Sequence, residues 1–159
     1  MKKKIIITGA LGYIGTELCK LYSGFSWKYE VIGIDNRFIS ERVNELKRRK
    51  IKFIQADILN INEIKPHIQK GDVVHHLAGI TDVAYVKKNS NKQQDDQIKK
   101  VAIEGTQNVL NSMNDNATIV FPSTHVVFEG LKEPKKNIDE NENTSTFLAY
   151  SSSKVENEN

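Results

Sequence analysis

The stretch Ile5–Gly15, IIITGALGYIG, constrains this chain more than any other. Three isoleucines and Thr8 read as a strand buried on both faces. Glycines follow at every third position, Gly9, Gly12 and Gly15, and an amphipathic stretch opens at Tyr13, with Ile14, Leu18 and Leu21 on one face. A strand that turns through glycines straight into a helix leaves bare backbone beside the free N–H groups and partial positive charge of the helix N-terminus. A pyrophosphate fits such a turn. Gly9 would make the turn, Gly12 admit the pyrophosphate through the backbone of Tyr13 and Ile14, and Gly15 let helix and sheet pack closely. Three glycines alone are equally compatible with a purely structural strand–helix turn.

The same alternation continues along the chain. Strands are expected over 4–8, 29–35, 51–57, 72–79 and 117–123. Helices are expected over 13–23, 39–49, 61–69 and about 95–113, with a last one from near Ala149. Residues 131–146 read as a charged loop. Strands apolar on both faces and separated by helices imply a parallel sheet. Right-handed crossovers then give an α/β fold: a doubly wound parallel sheet of five strands, with helices on both faces.

Asp35 ends the second strand twenty residues after Gly15, where a carboxylate accepts hydrogen bonds from an adenosine ribose. Asn36 adjoins it. That carboxylate repels a 2′-phosphate, so NAD is expected rather than NADP, a preference that Arg37 two residues on would temper. Asp57 and Ile58, after the third strand, are placed to meet the adenine amino group; a turn-capping role for Asp57 is the competing reading. Leu77, Ala78 and Gly79 end the fourth strand and put small residues beside the cofactor.

The charge balance, +3 with basic and acidic residues interspersed, leaves no nucleic-acid footprint. The densest basic run, Lys47–Lys50, suits a helix C-terminus. The apolar run after the N-terminal lysines breaks at Thr8 and Gly9, unlike a signal peptide, and no segment approaches the roughly 20 apolar residues of a membrane span. Cys19, the single cysteine, has no partner for an internal disulfide. These features point to the cytoplasm and to no membrane partner. No metal-ligand spacing stands out.

The glycine spacing is T-G-x-x-G-x-x-G. Together with HLAG (76–79), STHVVFEG (123–130) and YSSSK (150–154), it resembles the extended short-chain dehydrogenase/reductase family, the NAD-dependent epimerases and dehydratases that act mainly on nucleotide sugars. The resemblance runs from Ile5 to the last residue and implies a Rossmann-like domain. It implies that Tyr150 is the catalytic tyrosine, that Lys154 is its lysine partner and also binds the nicotinamide ribose, that Thr124 holds the reacting oxygen, and that Ser123 lies beside the nicotinamide. Tyr150 and Lys154, four apart, share one helix face. A free phenol, of pKa about 10, is a poor base at neutral pH. A lysine cation one turn away, joined by the positive charge of an oxidised nicotinamide, stabilises the phenolate. The tyrosine then takes a proton from a sugar hydroxyl while hydride leaves to NAD.

Several positions depart from the family's pattern. Ala102 stands where the family usually has asparagine. His125 and Val126 stand where dehydrating members carry an acidic pair, which argues against a dehydratase. STHVVFEG is closer to the dehydrorhamnose reductases. Family members are also considerably longer, so residues 1–159 are expected to be one NAD-binding domain that stops inside the tyrosine helix, without the substrate-binding C-terminal region. Three functions stay open: epimerisation or ketone reduction of a nucleotide-sugar-like small molecule, a cofactor-binding module without turnover, and, least favoured, an interaction protein that has lost the cofactor. Members of the family it resembles often form a homodimer through the long fourth helix and the tyrosine helix, one of which is cut here, so the oligomeric state stays open.

Overall fold

Lys3–Thr8 extends as β1 because consecutive β-branched isoleucines favour a pleated backbone and pack on both sides of a sheet. Ile5, Ile6 and Ile7 are all buried. The computed structural model describes residues 1–81, 92–133 and 135–159. After β1 come α1 (Tyr13–Ser23), β2 (Tyr29–Asp35), α2 (Ser40–Arg48), β3 (Lys52–Gln55), α3 (Ile61–Ile68), β4 (Val73–His76), α4 (Lys92–Ser112), β5 (Thr118–Val120), a 3₁₀ turn (His125–Phe128) and α5 (Ala149–Glu158).

These residues fall into two compact units, 1–79 with 105–122 and 80–104 with 123–159. The first holds the whole sheet. Its strands run in the order β3-β2-β1-β4-β5, every neighbouring pair parallel. The order reverses between β1 and β4, and the carboxyl ends of strands at such a switch point flank a ligand crevice. The glycine turn leaves β1 there.

Alternation along the strands builds a core on each face. Ile5, Ile7 and Val31 pack with Leu11 and Cys19 of the α1 region and with Val43 and Leu46 of α2. Ile6, Ile34 and Val74 point the other way and are equally buried, as are Ile64 and Ile68 of α3 and Val109 of α4. Burial pushes the Cys19 thiol up to about 12, so the cysteine behaves as a small core hydrophobe. Strand β5 forms one edge of the sheet, with Val120 exposed.

Three strands stop earlier than the apolar runs predict; β5 ends at Val120 rather than at 123, and Pro122 just beyond it has no N–H to extend the ladder. Strand β4 ends at His76 because Leu77 N donates to Thr8 O at 3.2 Å and Ala78 N then turns to the Thr8 side chain, Oγ1, also at 3.2 Å. Strand β3 ends at Gln55, and Asp57 already belongs to a turn in which its Oδ1 accepts from Leu59 N at 2.9 Å. Among the described residues no helix is long and apolar enough to cross a membrane.

The second unit holds the beginning of α4, the 3₁₀ turn, the described part of the charged loop and α5. Thr124 starts the 3₁₀ turn, its Oγ1 accepting from Val126 N at 3.2 Å. Hydrophobic periodicity carries no sign of this turn, because four residues make little more than one revolution.

Candidate functional site

The three glycines of the first unit are not equivalent. Gly9 has φ +68°, the left-handed region, and a Cβ there would lie 2.8 Å from Ala78 N and from the Leu77 carbonyl carbon. A Cβ on Gly15 would lie 2.2 Å from Gly9 O. Both positions need glycine for the fold itself. Gly12 differs: its backbone is extended, and an added Cβ would meet only Gly9 O, at 3.1 Å. Nothing else among the described residues asks for glycine there.

Gly12 is also the N-cap of α1 and offers no side chain to the helix. Thr16 N is the first helical donor bonded back, to Gly12 O at 2.9 Å, while Thr16 Oγ1 binds the same carbonyl at 2.7 Å. The amides of Tyr13, Ile14 and Gly15 precede the first closed turn, as the opening donors of any helix do. Tyr13 and Ile14 are exposed. The result is a bare cradle at a positive helix end, which fits a pyrophosphate.

Asp35 closes β2 beside this turn and is buried. Its Oδ2 accepts from Leu11 N at 3.0 Å, and its Oδ1 from Arg37 N at 3.0 Å. The Arg37 guanidinium adds a fork, Nε to Oδ1 at 3.1 Å and Nη2 to Oδ2 at 3.3 Å. This pairing holds the Arg37 pKa above its usual range. The ribose-binding carboxylate expected from the sequence is therefore engaged by the arginine expected to temper it. On the same side Arg42 donates to Leu11 O.

Asn36 Nδ2 donates to Asp57 Oδ2 at 3.3 Å, so these two candidates stand together. Asp57 fills the turn-capping role directly, through Leu59 N. Ile58 is held from α4: Asn108 Nδ2 donates to Ile58 O at 3.0 Å, and a Cβ on Gly105 would be 2.4 Å from Ile58 Cδ1. Leu77 and Ala78 hang on Thr8, and a Cβ added at Gly79 would meet no atom of the described residues within 4 Å. Sequence reasoning passed over the buried network behind them. Thr8 Oγ1 contacts His76 Nδ1 at 2.8 Å, and His76 Nε2 contacts Thr106 Oγ1 at 3.0 Å. The signal was a polar pair, Thr8 and His76, at the ends of two neighbouring buried strands.

In the second unit Tyr150 and Lys154 lie on one face of α5, with Lys154 Nζ 5.8 Å from the centroid of the Tyr150 ring. Burial pushes the Lys154 ammonium below the usual lysine range, and the negative charge of Glu158 works the other way. Ser123 Oγ donates to Glu158. Thr124 Oγ1 accepts from Val126 N and keeps its own hydroxyl hydrogen to donate. His125 is exposed. The carbonyl of Ala102 accepts from Asn157 Nδ2 at 3.1 Å, so α5 is tied to the middle of α4. No group of three or more His, Cys, Asp or Glu side chains able to hold a metal occurs among the described residues.

Comparison with known proteins gives these features a family. A UDP-glucuronic acid 4-epimerase from Bacillus cereus, solved in complex with UDP-glucuronic acid and NAD, is similar in structure. It superposes with a TM-score of 0.77 at 29% identity over 98% of this chain and 50% of its own. An uncharacterized UDP-glucose epimerase of Bacillus subtilis is 30% identical over 163 residues, 96% of this chain and 48% of that protein. CDP-paratose 2-epimerase of Salmonella typhi is 29% identical over 143 residues, 84% of this chain and 40% of that protein. The chain thus spans half or less of the length of these relatives. The family model of the 3-beta hydroxysteroid dehydrogenases/isomerases matches residues 6–159. The chain belongs to the 3-beta hydroxysteroid dehydrogenase/isomerase family, within the extended short-chain dehydrogenases/reductases.

Proposed function

We propose that this chain carries the NAD-binding and proton-handling residues of an enzyme that epimerises or reduces a nucleotide-sugar-like substrate. The observation that carries the proposal is the Tyr150–Lys154 pair, a phenol and a half-buried cation on one helix face. Relatives whose names specify nucleotide-sugar epimerases support the substrate class.

The first unit's residues bind. The amides of Tyr13 and Ile14 take the pyrophosphate over Gly12, and Asp35 takes the adenosine ribose. Asn36, Asp57 and Ile58 take the adenine, while Leu77, Ala78 and Gly79 line the path with little bulk. Asp35 disfavours a 2′-phosphate by like charge, so NAD is the preferred cofactor over NADP. When bound, NAD supplies the hydride acceptor.

The second unit's residues move a proton. Tyr150 takes the proton of the substrate hydroxyl at its phenolic oxygen and later returns it. The Lys154 cation stabilises the phenolate while that proton is away. Thr124 donates its free hydroxyl hydrogen to the same substrate oxygen, whose negative charge grows as the proton leaves. Ser123 borders this group.

The test is direct. NAD is titrated into the chain, and NAD-linked turnover is then measured over a panel of UDP, CDP and dTDP sugars. Tyr150→Phe should lower kcat by about 10²–10⁴-fold, the usual worth of a general acid–base group, while NAD affinity stays. Unchanged turnover would overturn the role given to Tyr150. NAD binding without turnover on any sugar would favour a cofactor-binding module.

A further inference from the structure

Glu129 lies directly after the 3₁₀ turn, its backbone N donating to Val126 O at 3.0 Å. Its side chain crosses to the start of α5. Oε1 accepts from Phe147 N at 3.0 Å, from Leu148 N at 2.8 Å and from the hydroxyl of Ser151. Leu148 is the N-cap residue of α5 and has no polar side chain to cap it. One carboxylate oxygen therefore replaces the missing local cap, and its charge sits at the positive end of the helix.

The loop that carries Glu129 also carries Thr124, and it is tied to the approach to α5 by backbone bonds. Ser145 N donates to Val127 O, and Gly130 N to Ser145 O, both at 2.9 Å. Ser123, at the start of the same loop, is bonded to Glu158 in the last turn of α5. The loop thus grips the helix at both ends. A helix of ten residues is marginal by itself, so what fixes its ends fixes its side chains.

We propose that Glu129 is a positioning residue for Tyr150 and Lys154, holding the N-terminus of α5 against the loop that carries Thr124. The proposal rests on the proton-handling role given above to those three residues. Misplacing a reacting group by about 1 Å can cost ~10²-fold in rate, so the anchor acts on kcat. The anchor works through Oε1; Oε2 is buried with no hydrogen-bond partner among the described residues. Glutamine keeps the anchoring oxygen and exchanges one unpartnered buried atom for another, whereas alanine removes the anchor.

Glu129→Ala and Glu129→Gln are compared with the parent chain by amide hydrogen exchange at Phe147 and Leu148, and by NAD-linked kinetics on whichever nucleotide sugar the parent turns over. The expected result is faster exchange at both amides in Glu129→Ala, with kcat lowered about 10- to 100-fold and KM and NAD affinity within about twofold. Glu129→Gln should restore protection and bring kcat back to within about threefold. Parent-like exchange or parent-like kcat in Glu129→Ala overturns the proposal. So does a Glu129→Gln chain that has lost both protection and kcat, and this second variant decides the matter if Glu129→Ala does not fold. If the parent turns over no sugar, the functional proposal fails by itself, and the exchange comparison still decides whether Glu129 anchors α5.

Discussion

Replacing Gly12 and Gly15 separately by alanine should split folding from binding. At Gly15 the new Cβ would lie 2.2 Å from Gly9 O and 2.9 Å from Ala10 Cα. Ordinary contact begins near 3.4 Å, so backbone must move by about 1 Å, and no side-chain rotation can relieve it. Overpacking of this kind costs about 1–3 kcal/mol. The higher intrinsic helix propensity of alanine, about 1 kcal/mol, offsets part of that cost. With the clash at the upper end of its range, about 2 kcal/mol of destabilisation remains, or roughly 4–8 °C in Tm for a chain of this size. At Gly12 the new Cβ would meet only Gly9 O, at 3.1 Å, and φ is −71°, which alanine adopts freely. A slightly poorer N-cap and a less flexible unfolded chain oppose each other, leaving stability within about 1 kcal/mol of the parent. The methyl, however, fills the cradle over the Tyr13 and Ile14 amides. NAD affinity should fall at least tenfold, or about 1.4 kcal/mol. Thermal denaturation and calorimetric titration with NAD read the two effects separately. A Gly12→Ala chain that binds NAD as the parent does would refute the assignment of this glycine to a ligand. A Gly15→Ala chain with the parent Tm would refute the packing argument.

Three other outcomes follow from the same geometry. Arg37→Gln frees the Asp35 carboxylate of its fork; because the guanidinium side chain is 56% exposed, the pair should be worth only ~0.5–1 kcal/mol, so NAD should bind about two- to fivefold tighter at low salt, and unchanged affinity would count against competition at Asp35. Burial lowers the pKa of His75, whose Nε2 meets the Tyr22 hydroxyl at 2.8 Å, so the unfolded chain takes up this proton first as pH falls below about 6.5. Stability from His75 is then complete above that pH and is lost on going down towards its lowered value, and His75→Gln should flatten the decline in Tm between pH 7 and 5; identical slopes would refute this, with His67, also lowered by burial, supplying the slope that remains. Cys19, with its thiol at about 12, should resist iodoacetamide in the native chain at pH 8 and react fully in urea, and rapid native labelling would contradict its burial.

What the sequence makes legible here depends on how local the cause is. Helix α1 and strand β2 run over the residues that periodicity predicts, because a glycine turn and a two-sided apolar run each act within a few residues. The end of β4 is set instead by a hydroxyl from a neighbouring strand: Thr8 takes the amide of Ala78, seventy positions away, and no window along the chain contains both. Asp57 shows the ambiguity of a single carboxylate, since one oxygen serves its own turn and the other faces Asn36. Asp35 was legible by position, but not the extent to which Arg37 already occupies it.

The least legible part is what holds the tyrosine helix. Tyr150 and Lys154 are plain in the sequence because their spacing is the helix's own. Their support is not, because Leu148 cannot cap, and the oxygen that caps in its place belongs to Glu129, nineteen residues earlier. Polar residues that bind a ligand and polar residues that brace the binder have the same composition. They separate only when the partners are known: Glu129 spends its anchoring oxygen on three donors inside the chain, whereas Thr124 accepts one backbone amide and keeps a hydrogen to give. The first arrangement is closed within the chain and the second keeps a donor, which is what the role proposed for Thr124 toward a substrate oxygen requires.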